Sequence, residues 1–315
     1  MTEEEFLKFL RQKFRPHSRE VICGVGDDCA VLDFPDHWLL LTLDTFVEGR
    51  HFSWDYFTPY EVGRRLAAAN LSDLAAMGGK PTFALLSLST PRLEEERITV
   101  FLEGIKSKLA LYGAELIGGD TCRHEKWVIS LTLLGHTPKG GAVFRHGANP
   151  GDLIFVSRPL GASAAALYLW QKGLEPPASL KKAHLDPDPE VTLGAILAEN
   201  QLASAMIDVS DGLLLDLERL CEASGVGAEL ELERIPVAEE VKALPLEDPY
   251  SLALKGGEDF ALLFTVPAEK AKILEQLCRR KLYQIGRIIP SPGLFLLEDR
   301  TRKPIAPEGF DHFKV

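Results

Sequence analysis

Aspartates recur in this chain where the backbone is set to turn or a helix to start or stop. They are Asp27-Asp28 in Gly24-Val25-Gly26-Asp27-Asp28-Cys29, Asp44 after an apolar run over 38–43, Asp73 in Asn70-Leu71-Ser72-Asp73-Leu74-Ala75-Ala76-Met77-Gly78-Gly79, Asp120 after Gly118-Gly119, and Asp208 with Asp211 in Ile207-Asp208-Val209-Ser210-Asp211-Gly212. Acids delivered from several element ends suit magnesium, which takes a few carboxylates, keeps waters and borrows phosphate oxygens. Asp73 is the most telling. On a helix its face is shared by Ala69, Asn70, Ala76 and Met77, so no local Lys or Arg neutralises it, and the alanines let another group come close. A metal held with distant acids satisfies both facts; a solvated acid on a polar face is the plainer alternative. Asp208, between Ile207 and Val209 in a strand-like run, is expensive unless paired. Asp120 reads equally well as a turn residue, and Asp211 as charge in the first turn of a helix.

Other chemistries find little here. Gly78-Gly79-Lys80-Pro81-Thr82 lacks the spacing of a phosphate-binding loop, and Gly24-Val25-Gly26 has Cys29 where a dinucleotide fingerprint needs its third glycine. There is no Gly-x-Ser-x-Gly elbow and no cysteine nucleophile with a histidine motif, so no covalent catalytic residue is expected. Arg145, in Phe144-Arg145-His146-Gly147, is the best isolated cation for a phosphate, with an ordinary surface arginine as the alternative. His51 fits a loop role or a ligand contact.

The 315 residues are 46% hydrophobic, enough to bury two cores of roughly 100 to 200 residues each. A net charge of −11 without a clustered basic run argues against nucleic acid or an anionic membrane as partner. An anionic ligand would need cations to mediate it. The five cysteines form no Cys-x-x-Cys pair, which fits a reducing compartment and a cytoplasmic location. The acidic helical start is not an export signal, and no apolar stretch is long enough to span a membrane.

The elements that must position these acids alternate strand and helix. Thr58-Pro59-Tyr60-Glu61 carries a hydroxyl cap, proline in the first turn and a carboxylate three residues after the cap, and so starts the helix that ends at Gly78-Gly79. Strands are expected over 29–32, 38–43, 82–88, 114–117 and 127–135, with Asp44 and Asp120 at strand ends and a second helix reaching about Tyr112. The turn-rich stretch 139–151 divides a domain 1–138 from a domain 139–315. Beyond it come a strand over 152–157, an alanine-rich helix over 162–171, a proline-bearing connector, a helix over 189–199, a strand over 205–209 and an amphipathic helix over 210–223 with apolar Leu213, Leu214, Leu217 and Leu220. Strands over 228–232 and 261–266 flank Gly256-Gly257-Glu258-Asp259, and a helix with two short strands closes the chain.

Taken in order, Gly26-Asp27-Asp28-Cys29-Ala30, Thr42-Leu43-Asp44-Thr45 with His51, the motif around Asp73, Gly118-Gly119-Asp120-Thr121, Ile207-Asp208-Val209-Ser210-Asp211-Gly212, Gly256-Gly257-Glu258-Asp259 and Gly309-Phe310-Asp311-His312-Phe313 resemble the thiamine-monophosphate kinase family over nearly the whole chain. The resemblance implies an α/β (α+β), two-domain fold shared with aminoimidazole ribonucleotide synthetase, its N-terminal strands forming a barrel across a homodimer. It implies transfer of the γ-phosphoryl group of ATP to thiamine monophosphate, the last step to thiamine diphosphate. Asp28, Thr42, Leu43, Asp44, Asp73, Asp120, Asp208 and Asp211 would hold several magnesium ions, Leu43 through its carbonyl; a monovalent cation beside them stays open. Gly119, Asp120, Arg145 and Ser210 would contact ATP, and His51, Glu258 and Phe310 the thiamine moiety. An aromatic near the nucleotide is common in the family around Leu102, and whether Phe101 or Leu102 takes that place here stays open.

A phosphate monoester is already an anionic nucleophile, so such a site needs alignment and charge compensation rather than a base. Rival readings are a synthetase of the same fold, a magnesium-dependent phosphatase, and a sensor that binds nucleotide without turnover. Selenophosphate synthetase is disfavoured by the lack of a reactive cysteine in a glycine-rich N-terminal loop.

Overall fold

The protein was analysed as a computed structural model, which describes residues 3–14, 16–246, 248–299 and 301–310; Asp311, His312 and Phe313 of the last motif lie outside them. The first half runs α1 (Glu3–Lys13), β1 (Val21–Cys23), β2 (Ala30–Asp33), β3 (Trp38–Val47), α2 (Pro59–Ala76), β4 (Lys80–Thr90), α3 (Glu95–Ala110), β5 (Glu115–Arg123) and β6 (Val128–Thr137). The second runs β7 (Leu153–Val156), α4 (Ala162–Gln171), α5 (Ala178–Leu185), α6 (Val191–Glu199), β8 (Ala205–Val209), α7 (Leu213–Ser224), β9 (Gly227–Glu231), α8 (Glu239–Lys242), α9 (Pro249–Lys255), β10 (Ala261–Val266), α10 (Ala271–Leu277), β11 (Tyr283–Ile289), β12 (Gly293–Glu298) and β13 (Thr301–Ile305). Each half builds its own sheet, six strands in the order β1-β2-β3-β6-β4-β5 and seven in the order β13-β12-β9-β11-β7-β10-β8.

The two-domain α/β plan stands, but the expected barrel does not. The first sheet is open, with β1 and β5 as its two edges, and no closed sheet occurs among the described residues. β1 is only three residues long and slips register against β2, so it cannot carry the sheet round to β5. Three further expectations are corrected. β3 continues through Asp44 to Val47, because β6 pairs with it along its whole length. β5 does not stop at Gly118-Gly119 but runs on parallel to β4, with Gly119 at φ +157 where a Cβ would lie 1.8 Å from the Leu86 carbonyl. The proline-bearing connector contains α5, and three strands rather than two follow α10.

α2 is the hinge of the packing. Its start is the expected capping box: Glu61 N–H donates to Thr58 Oγ1 at 3.3 Å while the Thr58 N–H donates to Glu61 Oε2 at 2.8 Å. The alanines are buried, but their close approach serves protein rather than a metal. A Cβ on Gly194 of α6 would sit 2.0 Å from the Ala75 carbonyl, and on α3 a Cβ at Gly104 would sit 2.1 Å from the Tyr60 carbonyl. α2 thereby lies against its own sheet, α3 and the second half at once. Asp73 is carried to where the two halves meet.

Candidate phosphoryl-transfer site

β3 alternates its side chains, so Thr42 and Asp44 turn inward and Leu43 faces out, 60% exposed. Only the Leu43 carbonyl can serve the site. Thr42 Oγ1 donates to Asp73 Oδ2, tying β3 to α2. From the other half, Asp208 is 2% exposed on the central stretch of β8. Its carboxylate accepts from Ser72 Oγ at 2.7 Å and from Ser210 Oγ at 3.2 Å. Asp28 comes from the turn before β2. One carboxylate oxygen each from Asp28, Asp73 and Asp208 lie within 4.8 Å of one another.

Three acids at this distance, Asp28 and Asp208 buried and Asp73 half-buried, are unstable company without a cation. The carboxyls of Asp73 and Asp208 are pushed well above the usual carboxylate range, first by burial and then by neighbouring acids. Asp44 is pushed up to about 6 by burial, then by Asp211 and Asp28. Asp27 is pushed up to about 7 by burial and by Asp28, against the pull of Arg145. Buried oxygens of Asp28 and Asp44, Oδ2 in both, meet no hydrogen-bond donor. All-oxygen donors with unsatisfied lone pairs are what a hard divalent cation requires, so these residues fit magnesium.

Arg145 is not isolated. Its Nη2 donates to Asp28 Oδ1 at 2.6 Å, and its backbone N–H donates to Asp27 Oδ2 at 3.0 Å. Asp211 lies at the start of α7 and pairs with Arg219 Nη1 at 2.5 Å. The turn that presents Ser210 and Asp211 is held by Asp216, whose Oδ2 accepts the N–H groups of Ser210, Asp211 and Gly212 at 3.1, 3.0 and 3.1 Å. Neither Asp216 nor Arg219 was singled out in the sequence. The available signal was an acid placed among Leu213, Leu214, Leu215 and Leu217 on an amphipathic helix.

Beside the acids is a cavity of about 600 Å³, with Asp44, Ser210 and Asp211 on its wall together with His51, Glu258 and Phe310. The His51 ring stacks on Phe46 with centroids 5.4 Å apart, and its Nδ1 accepts the Val47 N–H at 3.0 Å. Glu258 sits at φ +65, a backbone state rare for a residue with a side chain. Its N–H donates to the Ser210 carbonyl at 2.7 Å, and a Cβ on Gly257 would lie 2.3 Å from that same carbonyl. The two motifs therefore interlock. Phe310 carries Arg50 over its ring at 5.0 Å and donates its N–H to the Asp211 carbonyl at 2.9 Å.

One expected pair of contacts lies elsewhere. Gly119 and Asp120 are on the edge strand β5, and Asp120 shares a row with Ser87, Ser130 and Thr45, on the outer face of the sheet. At about 4.8 Å per strand it stands roughly 14 Å from Thr45. It does not join the three-acid cluster of its own chain. Phe101 is fully buried edge-on to Trp127 at 5.3 Å, which makes it a core residue.

Acids brought together from two α/β halves beside an open cavity define a class. Residues 26–137 match the AIR synthase related protein N-terminal domain and residues 149–298 the C-terminal domain of the same family. Among curated relatives, the thiamine-monophosphate kinase of Salmonella typhimurium is 39% identical across 96% of this chain and 95% of its own, and that of Haemophilus influenzae is 37% identical across 92% of each. A solved structure of AaThiL complexed with AMPPCP and TMP superimposes with a TM-score of 0.87 at 33% identity, covering 99% of this chain and 97% of that one. The chain belongs to the thiamine-monophosphate kinase family.

Proposed function

We propose that this site transfers the γ-phosphoryl group of ATP to the phosphate of thiamine monophosphate, giving thiamine diphosphate and ADP, the last step to that cofactor. The observation that carries the reading is the meeting of Asp28, Asp73 and Asp208 from both halves, with unsatisfied oxygens on Asp28 and Asp44, beside a cavity of about 600 Å³. Asp28, Asp44, Asp73, Asp208 and Asp211, with Thr42 and the Leu43 carbonyl, would hold magnesium. When bound, magnesium offsets the charge of two repelling phosphates and polarises the one being transferred.

The chain's own residues do the positioning. Ser210 and Arg145 are proposed to hold ATP, with Arg145 kept in place by Asp27 and Asp28. His51, Glu258 and Phe310 are proposed to hold the cationic thiamine moiety, a carboxylate and two flat rings suiting a thiazolium and an aminopyrimidine. No side chain need remove a proton, because the acceptor phosphate is already anionic. Incubation with ATP, magnesium and thiamine monophosphate tests the reaction: thiamine diphosphate and ADP should appear in equal amounts. Free phosphate without thiamine diphosphate would overturn it in favour of hydrolysis. Replacing potassium with sodium in that assay reports whether a monovalent cation takes part.

We further propose a homodimer formed through the outer face of the first sheet. That face exposes Leu43 on β3 and Phe83 and Leu85 on β4, either side of β6, apolar side chains that a partner surface would cover. Gly119 and Asp120 lie at its edge and would reach the ATP and metal of the second copy's site rather than their own. A boundary at 138/139 between the domains suits the two sheets, which end and begin on either side of it. No helix among the described residues is long and apolar enough to cross a membrane. Free thiols at all five cysteines support a reducing, cytoplasmic setting.

A further inference from the structure

We propose that Arg65 is the positioning residue that makes Glu258 a recognition group for a cationic ring; this rests on the reading of Glu258 as a substrate contact. Arg65 lies on α2, two turns before Asp73, and is 0% exposed. Its Nη2 is 2.7 Å from Glu258 Oε2, yet none of its three guanidinium nitrogens has a hydrogen-bond partner. The two groups form a close ion pair. The guanidinium lies over the rings of Phe57 and Phe260, at 5.7 and 5.8 Å from their centroids.

An arginine buried in this way is costly, and the charge it faces is that of Glu258. The other candidates for that role fall short. His184 Nδ1 is 3.9 Å from the same oxygen, but burial and Arg65 push its pKa down to about 3, so it stays neutral, paired with Ser163 Oγ at 2.9 Å. Asp259 next to it turns away to accept the N–H groups of Gly161 and Ser163 at 2.7 and 3.4 Å. His51 adds a weaker pull from across the cavity. Burial alone would push the Glu258 carboxyl up; Arg65, with lesser help, holds it below the usual range.

The geometry explains why the cation comes from behind. Glu258 remains 34% exposed on the cavity wall, so Arg65 keeps the carboxylate ionised from behind while part of it stays open to the cavity. A neutral Glu258 would forfeit its attraction for a thiazolium. α2 also sets the distance: eight residues separate Arg65 from Asp73, about 12 Å along the helix. One rigid element then spaces the ring-binding end of the cavity from its phosphate end.

Steady-state kinetics on four variants, Arg65→Gln, Arg65→Lys, Glu258→Gln and the double Arg65→Gln/Glu258→Gln, test the role. Arg65→Gln should raise KM for thiamine monophosphate about tenfold while KM for ATP and kcat stay within about threefold. Arg65→Lys should recover most of the loss. The double variant should be no worse than Glu258→Gln alone, since Arg65 acts through that carboxylate. An Arg65→Gln enzyme with normal KM for thiamine monophosphate, or losses that add in the double variant, would overturn the positioning role. Should Arg65→Gln fail to fold, the double variant, with both charges gone, and Arg65→Lys give the same comparison. If Glu258→Gln itself leaves that KM unchanged, the substrate reading of Glu258 has failed and the proposal with it.

Discussion

Asp73 shows how much one side chain can be asked to do. It accepts from Thr42, faces Asp28 and Asp208, and is half-buried where its own charge is unwelcome. Asp73→Asn keeps the shape and the hydrogen bond but removes a ligand charge, so turnover should fall by at least about a hundredfold while the melting curve hardly moves. A near-normal rate in a product assay would remove Asp73 from the site. The same burial sets a pH dependence. Asp27, Asp44 and Asp216 carry raised pKa values of about 7, 6 and 7 in the folded chain. Between the ordinary carboxylate range and those values the folded state binds more protons than the unfolded one, so rising pH favours unfolding. Metal-free protein should therefore melt at a lower temperature near pH 7.5 than near pH 5. Added magnesium should raise the melting temperature more at the higher pH, as thermal unfolding would report.

At the scale of the element, α2 was legible in the sequence because its signals are local. Thr58, Pro59 and Glu61 mark its start, and Gly78-Gly79 its end. Likewise β8 and β10 appeared with their observed bounds, being short apolar runs between turns. What the sequence did not disclose depends on distant partners. β3 looked as if it ended at Asp44, because its continuation rests on pairing with β6, and β5 looked as if it ended at Gly118 because its outer half rests on β4. The α2–α3 crossing was equally hidden. Gly63 and Gly104 belong to no motif, yet a Cβ at either would lie 2.3 or 2.1 Å from a backbone oxygen of the facing helix. Gly104→Ala should thus destabilise the protein by about 1–3 kcal/mol despite its better helix propensity, measurable by denaturant unfolding.

For the molecule as a whole, the acids could be named from sequence but their grouping could not. Motif resemblance placed Asp120 with the others, whereas the fold carries it to the outer face of an open sheet. Arg145 read as an isolated cation, and the fold pairs it with Asp28. Arg65 and Asp216 carried no motif at all: Arg65 matters through Glu258, which faces it across the domain junction, and Asp216 through the turn 210–212 that it holds. If Asp120 serves a second copy's site, inactive Asp73→Asn and Asp120→Asn chains mixed by refolding should regain roughly a quarter of wild-type activity, one intact site in each mixed dimer. Continued inactivity of the mixture would return Asp120 to its own chain or remove it from the reaction.

The convergence of acids from both halves can be seen directly. Crystals grown with manganese in place of magnesium and a non-hydrolysable ATP analogue should give an anomalous peak within about 2.5 Å of carboxylate oxygens of Asp28, Asp73 and Asp208, with nucleotide phosphate against it. Nucleotide bound with manganese elsewhere, and these three carboxylates left to protons and Arg145, would contradict the account.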